Sequence, residues 1–162
     1  MTLIATPKAI NANSYATVIE ADTYHSGRLF NTEWTAATTA NKETSLIMAT
    51  RLINLNKFTG IKTTSTQALK YPRYGIYDDD GNSIDSDTNP QALIDAVSEY
   101  AFLLIIKDLT RESSDKGIKK LKVGPIDIEI NASDRSKPIP PSVMSMIKQW
   151  LLNYNTISVA RG

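Results

Sequence analysis

Apolar positions recur at helical spacing in four stretches of the chain and alternate in one. Residues 1–16 carry little periodicity and read as an extended N-terminal arm. The run TVIE then matches a capping box, in which Thr17 bonds a free N–H of the first turn and Glu20 reaches back. It predicts a helix over 18–29 with Ile19, Tyr24 and Phe30 inward, its end weakened by Gly27. FNTEWTAATT reads as a connection. A second helix is expected over 40–54, with Leu46, Ala49, Thr50 and Ile53 on one stripe. Residues 55–88 are long and irregular, and Pro72 biases Tyr71 away from helix. A connection of that length either carries function or hides structure. Asn89–Pro90 pairs an N-cap residue with a proline at the first helical position, predicting a helix to Thr110. Its segment LIDAVSEYAFLLII is apolar nearly all round towards the end, so it should be the central, most buried helix.

The period then changes from 3.6 to 2. Strands over 119–123 and 126–130 flank Gly124–Pro125 and read as a hairpin. A two-residue turn sets Val123 opposite Ile126 and Leu121 opposite Ile128, with Lys122 opposite Asp127 and Lys120 opposite Glu129. Both charged pairs have opposite sign in that one register, which supports it. The face of Leu121, Val123, Ile126 and Ile128 must pack on a helix or a neighbouring subunit, because an isolated hairpin is marginal in water. SDRSKPIPP is a linker. Pro141 opens a last helix to Tyr154, with Val143, Ile147, Trp150, Leu151 and Tyr154 on one face, and 155–162 form a tail. The fold class is therefore mainly α: one domain over 17–154, a bundle of about four helices with a long central loop and one β-hairpin, plus arm and tail.

Chemistry is sparse. The 162 residues include no cysteine and one histidine, and net charge is +1. That excludes disulfides, thiolate chemistry and a cysteine zinc site, and gives no bulk field for nucleic acid. No apolar run has membrane-span length, and MTLIATPKAI lacks a signal-peptide core. The acidic stretch YDDDGNSIDSD invites a calcium loop. With Gly81 at the sixth loop position, however, Ile76 takes the first, where a ligand oxygen is required, and no helix precedes it. An Asp–Gly turn explains the composition. His25 has neither a nucleophile motif nor a second metal-binding partner and reads as a surface or half-buried imidazole. Phosphate-binding glycine motifs are absent. No catalytic residue, cofactor or metal is expected, and no enzyme.

KDLTRESSDKGIKKLK carries Lys107, Arg111, Lys116, Lys119, Lys120 and Lys122. It offers a phosphate-facing patch but no aromatic to stack a base, so a solvated helix end plus one hairpin face accounts for it better. Any DNA affinity should then be weak and electrostatic. Trp34, Tyr71, Tyr74 and Tyr77 lie in expected connections, where aromatics either close over a core or mark an interface.

The order of several segments resembles a known family. ANSYATVIEADTYH (12–25), Trp34 before a Thr/Ala-rich helix start, STQALKYPRYGIYDDDG (65–81), a helix opened by proline and KVGPIDIEI (122–130) are similar to phage proteins described as DnaT-like single-stranded-DNA-binding proteins. The same segments look like head–tail adaptor (head-completion) proteins. The most specific parts are Asn13-Ser14-Tyr15, Glu20-Ala21-Asp22 and Gln67-Ala68-Leu69 through Pro72-Arg73, while Lys70-Tyr71 departs from the family's more usual small residue and Trp. The adaptor resemblance implies a structural virion protein of a bacteriophage, made in the host cytoplasm. It would form a ring, dodecameric by expectation, beneath the portal protein and dock the tail or nozzle protein. DNA would pass through as cargo, and no membrane would be involved. The alternative is a single-stranded-DNA-binding replication accessory protein. With neutral charge and no aromatic–basic interleaving noted, the expectation favours the connector. Its interface candidates are Leu121, Val123, Ile126 and Ile128, the loop residues Tyr71, Arg73 and Tyr74, and Lys119, Lys120 and Lys122.

Overall fold

The structure, a computed structural model, describes residues 2–110, 120–123, 126–129 and 139–152. Among these are five α-helices and two small antiparallel sheets: α1 (Val18–Ser26), α2 (Thr32–Ala36), α3 (Thr39–Ile53), β1 (Ile61–Lys62), β2 (Arg73–Tyr74), α4 (Gln91–Ile106), β3 (Lys120–Val123), β4 (Ile126–Glu129) and α5 (Pro141–Ile147). The mainly helical class with one hairpin is as the periodicity predicts.

Helix α4 is the hub. It packs against α1, α2, α3 and α5. Its residues Leu93, Ala96, Val97, Tyr100 and Ala101 are fully enclosed, as the all-round apolar pattern requires. The α3 stripe of Leu46, Ala49, Thr50 and Ile53 is buried against it, and Val143, Ile147, Trp150 and Leu151 close the third side. The last helix is shorter than expected. It tightens into a 3-10 turn at Lys148–Trp150, because the Trp150 carbonyl is taken by the Thr59 N–H at 2.8 Å and Leu152 N–H donates to Lys57 at 2.9 Å. Tyr154 lies outside the described residues.

Three further elements differ from expectation for identifiable reasons. Helix α1 has its full capping box, but it ends at Ser26, where the Asn31 carboxamide and the Arg28 N–H both bond the His25 carbonyl. Its inward face is Ala21 and His25, one turn apart, which turns Ile19 outward at 78% exposed; Phe30, beyond the helix, is 87% exposed. The Trp34 segment is not a bare connection but the short helix α2, with its indole buried and donating to Asp22 at 2.8 Å. Before α4, Asn89 does not cap. Its Nδ2 donates to the Tyr15 carbonyl at 3.0 Å, Pro90 becomes the N-cap, and the helix stops at Ile106 rather than Thr110.

The hairpin register is the one derived from charge pairing: Lys120 opposite Glu129, Leu121 opposite Ile128, Lys122 opposite Asp127 and Val123 opposite Ile126. No helix of the described residues is long and apolar enough to cross a membrane.

Candidate functional site

The long segment after α3 hides structure. Ile61 pairs with Tyr74 and Lys62 with Arg73 across β1 and β2, Phe58 bridges Leu151, and Tyr77 bridges Ser83. Two side chains fix its path. Gln67 is buried and accepts from Thr64 N–H at 2.9 Å while donating to the Leu69 and Pro72 carbonyls at 3.0 Å each. Arg73 gathers four carbonyls: Thr59 at 2.5 Å, Gly60 at 2.6 Å, Lys70 at 3.1 Å and Phe58 at 3.4 Å. Gly60 is required here. Its φ is +67°, and a Cβ would stand 2.5 Å from the Tyr74 carbonyl oxygen and 2.8 Å from Ile76 Cγ2. Beneath lies an aromatic floor, in which Tyr71 meets Phe58 edge-on at 5.0 Å and Tyr15 at 6.3 Å.

The same geometry collects positive charge. Lys70 Nζ donates to the Asn56 carbonyl at 2.6 Å and Lys62 Nζ to the Gln67 carbonyl at 2.8 Å. Lys57 is exposed. Among the described residues, none of Lys57, Lys62, Lys70 and Arg73 has a carboxylate partner. Carbonyl bonds satisfy N–H donors but do not cancel charge. The effect is seen at Lys70, whose ammonium pKa is held below its ordinary value by burial and then by Arg73, Lys57 and Lys62. Beside the cations, Ile61 (58% exposed), Tyr74 (49%) and Tyr77 (58%) are open to solvent. Ile61 and Tyr74 are directly paired and so share one face.

This face combines uncancelled cations with exposed flat or apolar side chains. Such a surface suits a polyanion that carries unstacked planar groups. The sequence signal was present in KFTGIK and LKYPRYGIY, which alternate bases with aromatics. A search for dense basic runs passes over it, because the four cations are spread over 57–73 and only folding gathers them. The expectation that aromatic–basic interleaving is absent is therefore corrected.

The other candidates are placed as follows. Tyr71 is core, with its ring enclosed, and Arg73 is half-buried; Tyr74 is at the surface. Lys119 lies outside the described residues. For Leu121, Val123, Ile126, Ile128, Lys120 and Lys122 the structure gives strand position and register alone. The acidic stretch is a turn. Asp78 accepts from the Asp80 and Asn82 N–H groups and from Asn82 Nδ2, at 2.7–3.0 Å, around Gly81 at φ +83°. The Asn82 side chain, then its backbone N–H, hold the Asp78 carboxyl below the usual range. His25 is not a surface residue: it is buried beside Trp34 at 4.4 Å and Phe102 at 5.3 Å, and its Nε2–H donates to the Ser98 carbonyl at 3.1 Å. Among the described residues no group of three or more His, Asp or Glu is arranged to hold a metal ion.

Over residues 1–162 the chain matches the family model described as "Putative DnaT-like ssDNA binding protein", and it belongs to that family. No curated protein matches the chain. No solved structure matches it either. The match corrects the expectation of a virion head–tail connector with portal-binding, ring-forming and tail-assembly roles. The family is described by single-stranded DNA, not by a connector, which favours the alternative function.

Proposed function

We propose that this member of the DnaT-like family binds single-stranded DNA, as an accessory to replication, through the face formed by residues 57–77. One observation carries the assignment: Lys57, Lys62, Lys70 and Arg73 converge with no carboxylate partner among the described residues, next to exposed Ile61, Tyr74 and Tyr77. The phosphates lie along the cations, and Tyr74 with Ile61 gives a base an apolar surface to rest on. The overall charge of +1 supplies little long-range steering, so binding is local and salt-sensitive.

Fluorescence anisotropy with a labelled oligothymidylate, read across a salt series, tests this. Each phosphate contact contributes about −0.7 to the slope of log K against log salt, so four cations give at most about −3. Lys57→Gln with Lys62→Gln should make the slope shallower by about 1.4. Absence of binding at low salt, or a slope unchanged in the double variant, would overturn the assignment.

A further inference from the structure

A second feature adjoins the cation face. A cleft of about 630 Å³ opens between the N-terminal segment, the start of α1 and the approach to α4. Its walls are mainly apolar, with Leu3, Ile4, Pro7 and Ile94, and its polar groups include Glu20 and Asn89. The volume is that of a small-molecule site. Among the described residues no cation lines it and one carboxylate does, which disfavours a phosphate and favours a neutral, flat group.

Two contacts join the cleft to the cation face. Ala68 N–H donates to the Ala9 carbonyl at 3.1 Å, two residues from the lining Pro7. Tyr15 lines the cleft, and its hydroxyl accepts from the Lys70 N–H at 3.1 Å. Asn89, one of the lining residues, is fixed by its bond to the Tyr15 carbonyl, which leaves its Oδ1, shielded from solvent, without a partner among the described residues. A buried acceptor left so is costly, and an N–H supplied by a deeply seated ligand removes the cost.

We propose that the cleft takes one unpaired base of the strand whose phosphates lie on Lys62 and Lys70. The inference rests on the single-strand reading above and adds to it a means of rejecting duplex. Each natural base carries an N–H on its pairing edge that a single acceptor such as Asn89 Oδ1 can use. In a duplex that group is already bonded and the base is stacked out of reach. Glu20, held by its two bonds to Thr17, keeps phosphates outside while the base enters.

The test has two arms. In the first, deoxycytidine and thymidine, which lack phosphate, are titrated into isotope-labelled wild-type protein. The expected result is saturable amide shifts at Leu3–Thr6 and Thr88, absent in Ala5→Leu, which fills the cleft. In the second, anisotropy compares an oligothymidylate with duplex of equal length. Ala5→Leu should weaken single-strand binding about tenfold, the worth of one well-held base, with the salt slope and duplex binding unchanged. Strand binding without nucleoside shifts, or a folded Ala5→Leu with wild-type discrimination, would overturn the base-binding cleft while leaving the cation face standing. If Ala5→Leu fails to fold, the wild-type titration decides. Wild-type protein that binds no oligonucleotide overturns the strand reading instead, whereas nucleoside shifts at the cleft would still support a base site there.

Discussion

The helical side of the molecule and the loop side handle their cations in opposite ways. On the helical side two basic groups each meet an acid. Arg28 pairs with Glu99 and lies over the Phe102 ring, and Lys42 pairs with Asp22 at 2.8 Å near Trp34. On the loop side Lys62, Lys70 and Arg73 meet, among the described residues, only carbonyl oxygens. Both arrangements give the cations hydrogen-bond acceptors, although Arg28 Nε has none among the described residues. Only the first removes the charge. Counting basic residues therefore says little about where a polyanion binds; the partner of each one decides it.

The comparison can be broken first at Arg73. Arg73→Met removes the loop's anchor and one of its charges, and should cost about 3 kcal/mol of stability, read by urea denaturation, as well as most of the DNA affinity. Arg73→Lys restores charge without the planar fork, so it should recover the salt slope but not the stability. Next, Gly60→Ala places a Cβ against backbone at positive φ and should cost about 1–3 kcal/mol. The sharpest contrast pairs Lys57→Gln with Lys42→Gln. The first should weaken oligonucleotide binding several-fold at low salt without moving the melting temperature. The second, which removes an already neutralised cation, should leave binding unchanged.

Acid tests the helical side. Burial, ahead of every other influence, holds the His25 imidazole below its ordinary value of 6.5. The unfolded chain then binds a proton that the folded one resists. Stability is full above pH 6.5 and falls as pH drops from there towards the folded value. The urea midpoint should decline between pH 7.5 and 5.5 in the wild type and less in His25→Gln. Asp22, Glu99, Arg28 and Lys42 also face this region, and the comparison with His25→Gln separates the imidazole's share of the decline from theirs. The smallest effect is expected in the hairpin. Lys122→Glu, opposite Asp127, should cost about 0.2–1 kcal/mol.

Much of the architecture was legible where pattern is long and regular. The stripe of α3, the apolar girth of α4 and the alternating hairpin each contain enough repeats to fix a face, and opposite charges fixed the hairpin register. Short elements were not legible. Helix α2 is five residues long and exists because Trp34 reaches Asp22, a contact made across two elements. The orientation of α1 follows from small Ala21 and polar His25, which hydrophobicity alone ranks below Ile19. The candidate site was visible in part. Arg73 and Tyr74 could be named, but their companions Lys57 and Lys62 lie more than ten positions away, brought in by a two-residue sheet too short for any periodicity to announce. Tyr71 was named as an interface candidate, and of the two roles open to a loop aromatic it takes the core one, in the floor.

The Arg73 guanidinium has one more consequence, for the way the loop opens. Its four acceptors lie on both arms of the loop, Phe58 to Gly60 on one and Lys70 on the other. Thr59 N–H in turn is tied to Trp150, and Thr63 N–H to Pro72. No single turn can fray without breaking this shared centre. The amides of Thr59, Thr63 and Leu152 should therefore exchange with solvent deuterium at one common rate, as a cooperative unit of their own, distinct from the slower amides of α4.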